Sequence, residues 1–273
     1  MDLAVKSEDL DSIIASPGHE GINMVAIAEP TTQTPPMSVE TETSTRNGAN
    51  FVLNLDHLIT EDDEPVDNIF SEKQQRLLTE PLYSSWAGPS ENQPYLVAAN
   101  VGVFYSIHRP AIVPDVFVAL EVQVDENWWT KAGRSYLMWE HGKPPEFVLE
   151  IVSNTKGKET HQKMLDYARI GVRYYAVFDP GQHVQTKMFK LYELAHGQYV
   201  EMTRYWFEPL QLGVTLWTGS YENREATWLR WCDKSGQLIA TGKEQAERAE
   251  QESQRAERLL AQLRALGIEP NNE

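Results

Sequence analysis

Glu146-Phe147-Val148-Leu149-Glu150-Ile151-Val152, followed by Ser153-Asn154-Thr155, is the stretch whose reading decides the architecture. A short apolar, β-branched run bounded by turn residues predicts a strand buried on both faces rather than an alternating, half-wet one. Ser153-Asn154-Thr155 closes it in turn chemistry. Glu150 stands inside this apolar run. A buried, unpaired carboxylate is costly, so the position calls for a metal, a cation or a raised pKa.

Downstream, Lys158 to Ile170 carries Met164, Leu165, Ala168 and Ile170 at helical spacing, with Gly171 placed to end the helix. Val172 to Asp179 reads as the next strand, stopped by Asp179-Pro180-Gly181. Upstream, Tyr95–Ala98, Val101–Ile107 and Pro114–Leu120 read as strands. Strand–strand–helix–strand is an α/β core. A short helix over Ser71–Leu78, with Ser71 as N-cap, precedes it. After it come a hairpin over Lys187–Tyr199 around Ala195-His196-Gly197 and strands at Leu212–Leu216 and Thr227–Ile239, the last turning at Asp233-Lys234-Ser235-Gly236.

The ends differ in character. Residues 1–67 hold Pro35-Pro36, a Ser/Thr-rich run and Glu61-Asp62-Asp63-Glu64, a composition that predicts disorder. Residues 68–240 form the expected domain. Lys243–Leu266 reads as a charged helix in which Ala246, Ala249, Ser253, Ala256, Leu260 and Leu263 repeat at steps of three and four, predicting a coiled coil.

The chain of 273 residues has a formal net charge of -16, which argues against general coating of nucleic acid. A single cysteine, Cys232, excludes an intramolecular disulfide and a multi-cysteine zinc site. No membrane-spanning run and no signal-like start are present, so the expected location is the cytoplasm. The segment Lys131–Lys190 is locally basic, with ten Lys and Arg against six Asp and Glu. Five histidines, His108, His141, His161, His183 and His196, show no metal-ligand spacing, and Trp128, Trp129 and Trp139 are expected in packing before base stacking.

Asp115 opens one strand and Glu150 lies near the far end of the next strong one. Antiparallel pairing of the two would bring both carboxylates to one edge of the sheet. Two carboxylates there suit a hard divalent cation such as Mg²⁺ or Mn²⁺. An Asp after Pro is also a common turn former, and that reading stands beside the metal one.

Four spaced blocks carry a resemblance: Pro114-Asp115-Val116, then Glu150-Ile151-Val152-Ser153-Asn154-Thr155, then Lys163-Met164-Leu165-Asp166-Tyr167, then Gly171-Val172-Arg173-Tyr174-Tyr175-Ala176-Val177-Phe178-Asp179-Pro180. In that order they resemble a bacterial family of restriction-endonuclease domains in the PD-(D/E)XK nuclease superfamily. The family pattern runs P-D-V, E-(I/V)-(L/V)-S-x-(S/T), K-L-x-x-Y and G-V-x-E-Y-W-(I/V)-(V/I)-D-P. The resemblance implies a restriction-endonuclease-like mixed sheet flanked by helices, with Asp115 and Glu150 as metal ligands. It also carries an assisting acid in the first helix onto Glu72.

One departure matters. The superfamily motif has a lysine two residues after the second acid, and here that position is Val152. Lys163, which matches the family's helix lysine, is the expected substitute; Glu159, one turn before it, offers an ordinary i, i+4 ion pair instead. The expected function is therefore an Mg²⁺-dependent endonuclease hydrolysing DNA phosphodiesters, acting as a dimer aided by the coiled coil. The rival expectation is a non-catalytic interaction protein that keeps the nuclease fold and binds partners through its tail.

Overall fold

The computed structural model describes residues 68–267, apart from 91, 125, 128 and 154–157. The disorder expected of residues 1–67, and any role of Trp128, Asn154 or Thr155, lie outside the described residues. In chain order the elements are α1 (Ile69–Ser85), β1 (Tyr95–Ala98), β2 (Val103–Phe104), β3 (Val116–Leu120), β4 (Tyr136–Leu137), α2 (Met138–His141) and β5 (Phe147–Ile151). Then follow α3 (Lys158–Ile170), β6 (Tyr174–Phe178), β7 (Phe189–Ala195), β8 (Gln198–Glu201), β9 (Trp206–Phe207), β10 (Leu212–Tyr221), β11 (Arg224–Cys232) and α4 (Gly242–Ala265).

A six-stranded mixed sheet runs β1-β3-β5-β6-β7-β8, beside a three-stranded sheet, β11-β10-β9, and the small pair β2-β4. β5 lies near its centre, antiparallel to β3 and parallel to β6. A parallel pair needs a crossover, and α3 supplies it. Every residue of β3, β5 and β6 is buried, as their unbroken apolar runs require.

Alternation along these strands divides the core in two. Val116, Val118, Phe147, Leu149, Ala176 and Phe178 face Leu78 and Leu82 of α1 together with Phe207, Leu229 and Trp231 of the smaller sheet. Trp231 meets Phe147 edge-on at 5.2 Å and donates its indole N–H to the Leu78 carbonyl at 2.7 Å, joining the smaller sheet to α1. On the other face Phe117, Val148, Tyr175 and Val177 pack with Tyr167 of α3, Val103 and Tyr136. Burying side chains of this size contributes about 1.5–3 kcal/mol each. Glu150 shares the parity of Val148 and so belongs to the α3 face.

Several boundaries depart from the sequence reading. α1 is twice the expected length, and Asn68 rather than Ser71 caps it, its side chain accepting the Ser71 N–H at 3.0 Å. Pro81 sits inside this helix. An interior proline costs about 3 kcal/mol, yet Leu77, Leu78, Pro81 and Leu82 are all buried, and that packing outweighs the lost backbone bond. The expected strand Val101–Ile107 contracts to β2, which pairs with β4 and bridges to Ile112. The turn at Asp233–Gly236 forms, but only one bridge, Cys232 to Leu238, follows it. The long hairpin turns instead at Glu222-Asn223, both with positive φ (45° and 62°), the backbone a tight two-residue hairpin requires.

The C-terminal helix forms as expected. Its coiled coil is not shown: every residue from Gln245 to Gly267 is exposed. Among the described residues no helix is long and apolar enough to cross a membrane.

Candidate active site at the β3–β5 edge

The register of β3 and β5 pairs Val116 with Leu149. One step further along the same ladder, Asp115 stands opposite Glu150. The antiparallel neighbourhood expected of the two acids is therefore present, and it arises because both strands are apolar enough to occupy the sheet centre side by side.

Each carboxylate is held. One oxygen of Asp115 accepts the Ile151 N–H, and the other lies 3.5 Å from the Gln75 side-chain amide. Gln75 also exchanges hydrogen bonds with Asn100, donating at 3.3 Å and accepting at 3.1 Å. Glu150, only 6% exposed, accepts the Tyr167 hydroxyl on Oε1 at 2.7 Å and the Lys163 ammonium on Oε2 at 2.7 Å. Lys163 further donates to the Val113 carbonyl at 3.0 Å, tying α3 to the segment that leads into Asp115.

Lys163 and Tyr167 reach the same carboxylate because residues four apart share one helix face. Burial pushes the Tyr167 hydroxyl well above its usual pKa, and the charge of Glu150 raises it further. Tyr175 is raised by the same two causes in the same order. Both phenols thus stay protonated, and Tyr167 acts as a fixed donor to Glu150.

Val152 explains why the lysine comes from elsewhere. It shares the parity of Glu150, and its side chain packs half-buried in the α3-side core. Its backbone N–H extends the sheet by donating to the Phe178 carbonyl at 2.8 Å. An ammonium attached at Val152 or at Lys163 addresses the same face of β5, and this chain places it on α3.

Asp115, Glu150 and Lys163 are brought together; Glu72 is not. Glu72 lies on the surface of α1, ion-paired with Arg76, which in turn pairs with Glu222 at the β10–β11 turn at 2.8 Å. The α1 residue that reaches Asp115 is Gln75, which sequence reasoning passed over. A signal existed, since Gln75, Leu78 and Leu82 lie at helical spacing on one face and a polar residue there needs a partner. Tyr167 carried a similar signal, four residues after Lys163. Nothing in the sequence singled out Asn100.

The remaining candidates are placed elsewhere. Ser153 is exposed, and the side chain of Glu159 lies outside the described residues. Among the described residues no group of three His, Cys, Asp or Glu forms a metal cluster. Trp139 packs on Phe104 and Leu137, while Trp129 is 90% exposed. Of the ten basic residues between Lys131 and Lys190, Lys143, Arg169, Arg173 and Lys187 are ion-paired with nearby acids, so the local excess is partly a solvated surface.

A mixed sheet crossed over by a helix, with two acids at adjoining strand ends and a lysine on one of them, defines a mixed α/β protein with a candidate site at the edge of its main sheet. The family model Uma2, described as "Putative restriction endonuclease", matches residues 61–215, more than half of the chain, and the chain belongs to this family. Among curated proteins none matches it.

Proposed function

We propose that the chain is a metal-dependent endonuclease hydrolysing phosphodiester bonds of DNA. The observation that carries this reading is the pair Asp115–Glu150, set opposite each other on β3 and β5 with the Lys163 ammonium on the Glu150 carboxylate. Family membership supports a nuclease-type chemistry and a nucleic-acid substrate.

The donor set fits a hard divalent cation. Carboxylate oxygens are what Mg²⁺ and Mn²⁺ prefer, and Mg²⁺ is commonly held by only one or two carboxylates plus water and substrate phosphate. Asp115 and Glu150 would hold the ion; when bound, it supplies Lewis acidity toward the phosphate and lowers the pKa of an attacking water. Tyr167 and the Ile151 N–H fix the direction of the two carboxylates. Lys163, with side-chain exposure of 29%, would offer its ammonium to a phosphate oxygen and to an attacking water. Gln75 steadies Asp115 in the place where Glu72 had been expected to assist.

A second reading has one observation behind it. Both oxygens of Glu150 already have strong donors, Lys163 and Tyr167, as a purely structural buried ion pair would. On that reading the protein is a non-catalytic binder on a nuclease fold.

Plasmid nicking by the wild type and by Glu150→Ala, each with Mg²⁺, Mn²⁺ or EDTA, separates the two. Metal-dependent cleavage that vanishes in the variant is the expected result. If neither protein cuts DNA and calorimetry detects no Mn²⁺ binding, the binding-protein reading replaces the nuclease.

A further inference from the structure

α4 is anchored at its base and bare along its length. Thr241 and Glu244 form a reciprocal cap, the Thr241 N–H donating to Glu244 at 2.8 Å and the Glu244 N–H to Thr241 at 3.1 Å. Arg230, almost fully buried, grips Glu244 through both terminal guanidinium nitrogens, and the Gly242 N–H donates to Glu80 of α1 at 2.9 Å. These contacts set the direction in which the helix leaves the domain. Beyond them, exposed leucines gather toward the far end: Leu259, Leu260 at 38%, Leu263 at 36% and Leu266. Most stability of a helix in a protein comes from packing an apolar face, and this face is uncovered.

Two independent features of α4 say what covers it. The first is charge. Residues 243–253 hold Lys243 and Arg248 against Glu244, Glu247, Glu250 and Glu252, a net of -2. Residues 254–266 hold Arg255, Arg258 and Arg264 against Glu257, a net of +2. Leaving out Lys243 and Glu244, which lie at the anchored base, changes neither value. The second is size. Along the seam, Ala246, Ala249, Ser253 and Ala256 are small and Leu260 and Leu263 are large.

We propose that α4 pairs antiparallel with α4 of a second copy of this chain. In that arrangement Ala246 meets Leu263 of the second copy, Ala249 meets Leu260, and Ser253 meets Ala256. Each outer layer thus combines one small with one large side chain, so the helices keep an even separation. The acidic half of each helix lies along the basic half of the other, with Glu250 beside Arg264 on both sides of the dyad. Antiparallel helix dipoles add to the attraction. Only Glu257 meets its own copy, at the centre. The parallel alternative stacks Ala on Ala and Leu on Leu, and sets Glu252 against Glu257 twice across the seam, acid half on acid half.

Sedimentation equilibrium of the full chain tests the assembly without reading cleavage, so its failure leaves the nuclease reading untouched. At about 100 µM, where mass action favours any real dimer, the expected mass is twice the 31.1 kDa of one chain. Leu260→Glu, on an exposed position that disturbs no core, is expected to return it to one chain. A monomeric wild type, or a dimer that Leu260→Glu leaves intact, overturns the proposal. Orientation is read by oxidative cross-linking, with the wild type and its buried Cys232 as background. A chain carrying both Ala249→Cys and Leu260→Cys is expected to form covalent dimers, and each single variant is not. Single variants that cross-link to themselves would mean parallel pairing and overturn the antiparallel assignment.

Discussion

Lys163 Nζ lies 2.7 Å from Glu150 Oε2, although the two residues stand 13 apart in the chain and on different elements. The usual lysine of this kind of site extends from the strand that bears the second acid. Here the strand position holds Val152, and one helix turn of α3 delivers the ammonium to the same carboxylate.

That substitution of position predicts a transplant. Lys163→Ala should lower DNA cleavage by about 10²–10³-fold, the usual cost of removing a positioned electrostatic group. Adding Val152→Lys to Lys163→Ala should recover part of the loss, because residue 152 addresses the same face of β5. A double variant no better than Lys163→Ala in single-turnover cleavage would show that the helix lysine does something a strand lysine does not.

Tyr167→Phe keeps the packing of a fully buried ring and removes only the donor on Glu150 Oε1. Outer partners of metal ligands commonly contribute about 10–100-fold in affinity. Mn²⁺ titration calorimetry should therefore show weaker binding by about that factor. Because the Tyr167 hydroxyl is held well above its usual pKa, the wild type and Tyr167→Phe should keep parallel rate profiles as pH rises through the ordinary tyrosine range. A wild-type break near that range, missing from the variant, would overturn this placing of the Tyr167 pKa.

Gln74, fully buried on α1, uses its side-chain amide as a piece of strand. It donates to the Leu229 carbonyl at 2.8 Å and accepts the Leu229 N–H at 2.9 Å, on the outer edge of β11. Gln74→Leu fills the same space but strands both backbone groups, at a cost of about 2–4 kcal/mol. A urea unfolding midpoint unchanged from wild type would refute this role.

The Arg230–Glu244 pair should make stability acid-sensitive. Partial burial works to raise the Glu244 pKa, but the Arg230 hydrogen bonds and the Thr241 cap overcome it and hold it below the usual 4.5. A depressed folded pKa means the contribution is present above the unfolded value and fades as pH falls through the lower folded one. Glu244→Gln is thus expected to lower Tm at neutral pH, with the gap to wild type closing as pH drops below about 4. A gap of constant size across that range would remove Glu244 ionisation as the cause.

The elements with the strongest local signals were legible in the sequence. The apolar run of β5 announces a central strand, since nothing but burial on both faces suits Phe147 to Ile151. α3 follows from the spacing of Met164 and Ile170 with Gly171 after it, where φ of 87° favours glycine. The hairpin at His196-Gly197 follows from its turn residues. Asp115 and Glu150 could be named because each is an acid at the end of an apolar strand.

Other features were decided only by tertiary structure, because they depend on what lies opposite. Pro81 argues locally for ending α1, and only the sheet beneath Leu78 and Leu82 carries the helix through it. The α1 residue facing Asp115 is Gln75 rather than Glu72 because packing of the helix sets its rotation, and a rotation of one position changes which side chain points inward. The contact of Lys163 with Glu150 depends on where α3 lies across the sheet, which no spacing within either element specifies. Sequence determined the central strands β3, β5 and β6, the crossover between the last two and the places of the two acids; the rotation and docking of α1 and α3 determined which further side chains reach those acids, since local patterns encode a face of each element but not its partner.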